Sequence, residues 1–265
     1  MNFEFLKRVL SASVLFPLLV ILVLKGNSLV INLTILICLF IAWFEWSKLF
    51  NFESLLFFWG LISLILVYSF FLKFNFFHLF VFTFFWAFLP FIFNFEAPFF
   101  YKNFFVFLLG IFYLFLGFFP FKIILFEYPR ELTLFFFCVI FANDTGAYLS
   151  GKFLGKRPFI PKISPKKTWE GFWGGMVLAL LVGWMLNNYF HFWDSRRVIL
   201  VSFVLALFGV MGDLFESAIK RAVGKKDSGA LIPGHGGLLD RIDGVLFASP
   251  VFLFLLEVFP HGTYS

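Results

Sequence analysis

The most regular feature of the chain is a series of long apolar stretches separated by short polar ones. Uninterrupted apolar runs of about 17 to 25 residues are typical of transmembrane helices. The pattern therefore predicts an all-α, polytopic integral membrane protein with about nine transmembrane helices. The expected spans are Val9–Leu24, Leu29–Phe44, Ser54–Leu72, Phe76–Phe93, Phe104–Phe119, Leu132–Leu149, Phe172–Phe190, Val198–Asp213 and Val245–Phe259.

The composition supports this fold class. Of the 265 residues, 62% are hydrophobic and only 14% are charged, whereas a soluble protein of this length needs more polar side chains to cover its surface. A soluble fold is therefore excluded, and a lipid bilayer is the expected surrounding of the helices. No nucleic-acid partner is expected.

The basic residues predict the orientation of the spans. Lys and Arg beside transmembrane helices are more frequent on the cytoplasmic side. With nine spans and a cytoplasmic N-terminus, most of the 21 basic residues are cytoplasmic, and the exceptions are Lys25, Lys73, Lys122, Arg130, Arg196 and Arg197. We therefore expect a protein of the cytoplasmic (inner) membrane whose two long polar loops, 151–171 and 216–243, both face the cytoplasm.

The two halves of the chain differ in their polar content. Residues 1–131 contain isolated polar side chains, such as Glu45 and Glu96 near span ends, which we interpret as interfacial carboxylates, with a functional role as the alternative. Residues 132–265 contain both basic loops. This division predicts an N-terminal transmembrane scaffold (1–131) and a C-terminal transmembrane catalytic region (132–265).

Two polar sites precede the longest loop. Asp144 ends an apolar run, where a carboxylate is costly unless it is paired, hydrated or metal-bound. Either a helix-end interaction or a metal-binding role would explain it. Four residues lie just before a predicted helix start: Ser164, Lys166, Lys167 and Thr168. Their donors suit phosphate oxygens, but a basic loop that only sets topology or contacts anionic lipid is the alternative.

Charged side chains are concentrated at the end of the eighth predicted span. If this helix continues beyond the apolar run, its spacing places four side chains on one face. They are Asp213, Glu216, Ser217 and Lys220. Carboxylates, a hydroxyl and a cation on one face predict a polar site at the end of this helix.

A glycine turn and a second acidic helix follow. The turn contains Gly236 and Gly237, whose backbone amides can approach a phosphate closely. The next predicted helix places Asp240 and Asp243 one turn apart, with Arg241 beside them. Carboxylate oxygens suit Mg²⁺, which binds a few of them together with water and substrate phosphates. The alternative is a structural network of salt bridges.

These residues resemble the C-terminal signature of the phosphatidate cytidylyltransferases, also called CDP-diacylglycerol synthases. The signature consists of Ser-x-x-Lys-Arg, four further residues, Lys-Asp, and then Pro-x-His-Gly-Gly-x-x-Asp-Arg-x-Asp. It is filled by Ser217, Lys220, Arg221, Lys226, Asp227, Pro233, His235, Gly236, Gly237, Asp240, Arg241 and Asp243. The runs that begin at Asp144 and Ser164 are also similar to this family, whereas the N-terminal half matches only as a multi-span scaffold.

The resemblance implies a nucleotidyltransferase of phospholipid biosynthesis that forms CDP-diacylglycerol and pyrophosphate from CTP and phosphatidic acid. It also implies a divalent cation, taken here as Mg²⁺ with the number of ions left open, and a homodimer. A CTP-dependent polyprenol kinase is the alternative enzyme. A cation transporter with intramembrane carboxylates is the alternative from another class of protein.

Residue chemistry and the resemblance together predict three groups of site residues. The catalytic group is Asp213, Ser217, Lys220, Asp240 and Asp243. The substrate-binding group is Ser164, Lys166, Lys167, Thr168, Arg221, Lys226, Asp227, His235, Gly236, Gly237 and Arg241. The metal-binding group is Asp144, Asp213, Asp240 and Asp243.

Overall fold

The computed structural model describes residues 16–70, 76–93, 97–229 and 236–259. Within them the chain forms nine helices and one short β-hairpin. The elements are α1 (Phe16–Lys25), α2 (Ser28–Phe50), α3 (Ser54–Phe70), α4 (Phe76–Phe93), α5 (Ala97–Glu127), α6 (Arg130–Leu154), β1 (Pro158–Ile160), β2 (Ser164–Thr168), α7 (Trp169–Phe190), α8 (Ser195–Ala222) and α9 (Leu239–Val258). Each predicted span corresponds to one of these helices over its described part, whereas residues 9–15 of the first span and 71–72 of the third lie outside the described residues.

The hairpin is the one departure from the all-α prediction among the described residues. Its antiparallel strands pair Pro158 with Thr168 and Ile160 with Ser164, and they lie within the first basic loop. The sequence shows no alternation of apolar and polar residues there, because neither strand has a fully buried residue. The bundle itself is helical, as predicted.

Among the described residues, five helical segments are long and apolar enough to cross a membrane: Ser28–Phe50, Asn103–Glu127, Arg130–Leu154, Trp169–Phe190 and Ser195–Ala222. Shorter apolar segments lie in α1, α3 and α4. Helix α9 is not among the five, and it has four charged residues in its 20: Asp240, Arg241, Asp243 and Glu257. About nine transmembrane spans and a cytoplasmic N-terminus therefore remain predictions.

Helices α7 and α8 of the second half begin at a capping side chain, whereas α6 and α9 do not. The Asp194 carboxylate accepts the amide N–H groups of Arg196 and Arg197 at 3.0 and 3.1 Å at the start of α8. The Thr168 hydroxyl accepts the amide N–H of Gly171 at 3.1 Å at the start of α7. The N-cap position of α9 is Leu238, which has no capping side chain. The free amides of this helix must therefore find an acceptor elsewhere.

The polar loops meet at one end of the bundle. Arg221 in α8 donates from Nε to the carbonyl of Ile163 in the hairpin at 3.3 Å. Lys225, just after α8, donates from Nζ to the carbonyl of Lys48 near the end of α2 at 2.7 Å. The prediction that both long loops lie on one face is therefore confirmed, whereas their cytoplasmic orientation remains a prediction.

Candidate active site

Helices α8 and α9 cross where their backbones come into direct contact. A Cβ added to Gly212 in α8 would lie 2.5 Å from the carbonyl oxygen of Asp243 in α9 and 2.7 Å from the Cβ of Phe247. Only glycine permits this approach. The crossing brings Asp213, the next residue of α8, beside Asp243. Because α8 continues to Ala222, the predicted extension of this helix beyond its apolar run is confirmed.

Asp213 connects the two polar loops. Its Oδ2 atom lies 2.6 Å from the Nζ atom of Lys167 in β2, and its Oδ1 atom accepts a hydrogen bond from the Ser217 hydroxyl at 3.2 Å. The Asp213 side chain is still 40% exposed, so a small molecule can reach it. A lysine of the first loop therefore contributes to the site built on α8.

Four carboxylates form an acidic cluster around this crossing. Asp243 interacts electrostatically with Glu216, Asp213 and Asp144, and Asp144 also interacts with Lys167 and Arg241. Asp144 lies inside α6, which continues to Leu154, so the helix-end explanation of this residue is wrong. Its carboxylate instead belongs to the cluster of α8 and α9.

Glu216 completes this acidic cluster, although it was not among the predicted site residues. It is 1% exposed, and its Oε2 atom accepts a hydrogen bond from Lys220 Nζ at 2.9 Å. Among the described residues, no donor reaches its buried Oε1 atom. The neighbouring carboxylate of Asp243 cannot supply one while both groups are ionised, because ionised carboxylates only accept hydrogen bonds.

The acidic cluster fits a bound divalent cation in part. In the part of the chain that the structure describes, no three Asp, Glu, His or Cys side chains are close enough to hold one ion directly. Mg²⁺ commonly binds only one or two carboxylates and completes its shell with water and substrate phosphates. The acceptor-rich surroundings of Glu216 Oε1, Asp243 and Asp213 suit such a partly open site, and Asp144 lies within their electrostatic reach.

Asp240 has different surroundings from the other predicted metal ligands. Its Oδ1 atom forms an ion pair with Lys220. Its Oδ2 atom accepts hydrogen bonds from the Ser228 amide at 2.9 Å, the Ser228 hydroxyl at 3.0 Å and the Gly237 amide at 2.8 Å. These donors occupy both oxygens. Asp240 therefore joins Ser228, which follows α8, to Gly237, which precedes α9, and its metal-binding role remains a prediction.

Glu45, interpreted from the sequence as an interfacial carboxylate, supplies the missing cap of α9. It is 4% exposed, and its two oxygens accept the amide N–H groups of Leu238 and Leu239, each at 2.8 Å. The Ser228 hydroxyl lies 3.1 Å from Glu45 Oε2. A side chain of α2 therefore positions the start of the helix that carries Asp240 and Asp243. The partner lies 193 residues away, and no local pattern marks such a contact.

The remaining predicted residues surround these groups or lie apart from them. Ser164 is half-buried in the hairpin, Thr168 caps α7, and Arg221 and Arg241 are exposed near the site. Lys166, Lys226 and Asp227 are exposed. Gly236 has a φ of 81°, a left-handed conformation that favours glycine. His235 lies outside the described residues, and the phosphate contacts of all these groups remain predictions.

Comparison with known proteins adds a family and several relatives. The family described as "Cytidylyltransferase family" matches residues 6–259. A phosphatidate cytidylyltransferase of Bacillus subtilis is 47% identical over 134 residues, covering 48% of this chain and 48% of that protein. The same-named protein of Staphylococcus aureus (strain COL) is 46% identical over 124 residues, covering 46% and 48%. That of Staphylococcus haemolyticus is 44% identical over 124 residues, with the same coverage. The chain thus spans about half the length of these relatives.

Proposed function

The chain belongs to the cytidylyltransferase family, which matches residues 6–259, and we propose that it is a phosphatidate cytidylyltransferase. It transfers CMP from CTP to phosphatidic acid and forms CDP-diacylglycerol and pyrophosphate. The relatives that carry this name support the proposal. So does the C-terminal signature, which ends in Asp240, Arg241 and Asp243.

The strongest support for this function is that cations and carboxylates from separate loops meet at the crossing of α8 and α9. Lys167 of the hairpin lies 2.6 Å from Asp213 of α8. Lys220 of α8 contacts both Glu216 and Asp240. A salt-bridge network alone does not explain why Glu216 Oε1 is left without a donor among the described residues. The lysines would contact an incoming substrate phosphate, and the carboxylates would bind the cation that accompanies it.

The proposed reaction needs positioning more than it needs a protein nucleophile. A phosphate oxygen of phosphatidic acid attacks the α-phosphorus of CTP, and the bond from that phosphorus to the bridging oxygen of pyrophosphate breaks. The attacking oxygen is already anionic, so no strong general base is required. The protein must hold two mutually repelling anions in line and stabilise the charge of the leaving pyrophosphate. Lys167 and Arg241 are suited to contact these phosphates.

Mg²⁺ is the proposed cofactor. One or two of the carboxylates of Asp213, Glu216 and Asp243 would hold it together with water and substrate phosphate, with Asp144 nearby, and when bound it neutralises charge on the triphosphate.

We also propose the setting in which the reaction occurs. The protein lies in the inner membrane with a cytoplasmic N-terminus and a site that faces the cytoplasm, where CTP is available. Three contacts support a shared loop face: Lys167 with Asp213, Arg221 with Ile163, and Lys225 with Lys48. The basic residues of these loops support its cytoplasmic side. A homodimer is part of the same proposal.

Labelled CTP tests the proposed function against its alternatives. Purified full-length protein in phosphatidic acid micelles with Mg²⁺ is given CTP labelled either in the cytosine ring or on the γ-phosphate. We expect cytosine label in the lipid fraction and γ-label in released pyrophosphate. Transfer of γ-label alone to added polyprenol would instead indicate the kinase. Label in neither lipid, together with cation flux in vesicles, would indicate the transporter.

A further inference from the structure

Tyr113 is a buried tyrosine of the N-terminal half that packs against α8 near the acidic cluster. It lies in α5 and is 7% exposed. Its ring packs between Trp46 of α2, at a centroid distance of 5.8 Å, and Phe215 of α8, at 5.4 Å. Phe215 directly precedes Glu216. The ring is therefore held on two sides, and its hydroxyl has little freedom to turn elsewhere.

The Tyr113 hydroxyl has no hydrogen-bond partner among the described residues. A buried hydroxyl without a partner is disfavoured, and such groups in native proteins call for an explanation. The charged groups with which it interacts are Asp243, Glu216 and Asp213. All three are members of the acidic cluster.

The cluster offers the complementary group. Glu216 Oε1 is buried and accepts no hydrogen bond from the part of the chain that the structure describes. A phenol can donate one hydrogen bond, whereas ionised carboxylates can only accept. An unused donor thus lies near the neighbouring carboxyl groups of Glu216 and Asp243, whose ionised oxygens can accept it.

We propose that Tyr113 is a positioning residue: when Glu216 and Asp243 receive a divalent cation, its hydroxyl donates one hydrogen bond to one of the two carboxylates and sets its orientation toward the ion. Hydrogen bonds from outside the ligand shell orient metal-binding carboxylates, and their loss weakens metal affinity or activity. The assignment rests on the proposed function only for its activity readout. It gives α5, predicted to be scaffold, a direct role in the site.

Tyr113→Phe tests this role because it removes the hydroxyl and keeps the ring between Trp46 and Phe215. The matched control is Tyr68→Phe. Tyr68 is also buried, at 8% exposed, but its hydroxyl donates to Asn32 Oδ1 at 2.6 Å, in the part of α2 remote from Lys48. Both variants lose one buried phenol hydroxyl, and only one of them faces the carboxylates.

The first measurement is thermal unfolding of the purified protein over a range of Mg²⁺ concentrations without CTP. We expect Tyr113→Phe to raise the half-saturating Mg²⁺ concentration by about 10-fold or more and Tyr68→Phe to leave it unchanged. The second measurement is the Mg²⁺ dependence of CMP transfer, which should shift in the same direction. An equal change in melting temperature at every Mg²⁺ concentration, with no shift in half-saturation, would overturn the proposal.

The two proposals fail separately. If the wild-type protein transfers no CMP but its Mg²⁺-dependent stabilisation is lost in Tyr113→Phe, the proposed function is wrong and the positioning role stands. If transfer occurs and Tyr113→Phe matches Tyr68→Phe in both measurements, the positioning role is wrong and the function stands.

Discussion

The helices before residue 128 and those after residue 129 differ in how their buried polar side chains are satisfied. In the described part of the first half these side chains are Glu45, Ser47, Ser63, Thr83 and Lys122, and in the second half Thr133, Asn143, Asn187, Ser202, Glu216, Lys220, Ser228 and Ser249. Lys122 donates to the carbonyl of Tyr68 within its own half. Glu216 and Lys220 pair within theirs. Glu45 alone among these charged groups accepts its hydrogen bonds from the opposite half.

This difference changes the meaning of the predicted boundary between scaffold and catalytic region. The second half supplies the charges that neutralise one another at the site, as in the contacts of Lys167 with Asp213 and of Lys220 with Asp240. The first half supplies Glu45, which determines where α9 begins, and the Tyr113 ring, which packs against α8. The second half therefore supplies the charged groups of the site, and side chains of both halves position them.

The largest expected effect tests the part of this comparison that concerns charge. Asp213→Asn and Asp243→Asn each keep the side-chain shape and remove a negative charge from the cluster. We expect turnover to fall by about 100-fold or more, because stabilisation of charge is the main catalytic task of such a site. The fold should be retained, as monitored by size-exclusion chromatography and thermal unfolding.

Asp194→Asn is the matched control for these two variants. Asp194 caps α8 at the end away from the polar loops, and Asn is an equally good N-cap residue. Its turnover should therefore stay close to that of the wild type. Near-normal activity of Asp213→Asn or Asp243→Asn at limiting Mg²⁺ would contradict the assignment of the cluster as the site of charge stabilisation.

The helices could be predicted from sequence because their pattern is local. The Phe76–Phe93 span even has the same bounds as α4. The extension of α8 to Ala222 could also be predicted, from the spacing of Asp213, Glu216 and Lys220. Both predictions depend on residues that are neighbours along the chain, and helix periodicity relates such residues directly.

The partners of these residues could not be predicted, because they depend on how the helices pack. A carboxylate with free oxygens and one whose oxygens are filled by donors look the same in a sequence. Asp243 accepts the amide N–H of Gly244 at Oδ1, whereas both oxygens of Asp240 are filled, because Lys220 reaches Oδ1 and Ser228 and Gly237 fold back onto Oδ2. A buried charge needs partners. The presence of the Glu45 carboxylate beside an apolar segment was therefore the one signal in the sequence for its role.

The second prediction tests the link between the two halves. Glu45→Ala leaves the amides of Leu238 and Leu239 without their acceptors, and each unpaired buried amide costs about 1–3 kcal/mol. We expect a lower free energy of unfolding, and a loss of turnover because Asp240 and Asp243 follow directly in α9. Glu45→Gln retains one acceptor oxygen and should show a smaller loss of both.

Glu53→Gln provides the comparison for the Glu45 variants. Glu53 is exposed in the connection between α2 and α3, so the loss of its charge should leave stability and turnover nearly unchanged. Thermal unfolding in detergent and CMP transfer are measured for all three variants. Wild-type turnover in Glu45→Ala would show that the second half builds the site by itself.

The smallest expected effect distinguishes two neighbouring lysines of the hairpin. Lys167 contacts Asp213 and its side chain is 26% exposed, whereas Lys166 is exposed on the same strand. Charge-assisted hydrogen bonds contribute about 1.5–3 kcal/mol, so Lys167→Gln should lower kcat/KM by about 10- to 100-fold. Lys166→Gln should cost less than about 1 kcal/mol if its charge acts only through solvent. Equal losses would mean that both lysines contact substrate phosphate. Unchanged kinetics in the double variant, with unchanged orientation, would mean that the loop only sets topology.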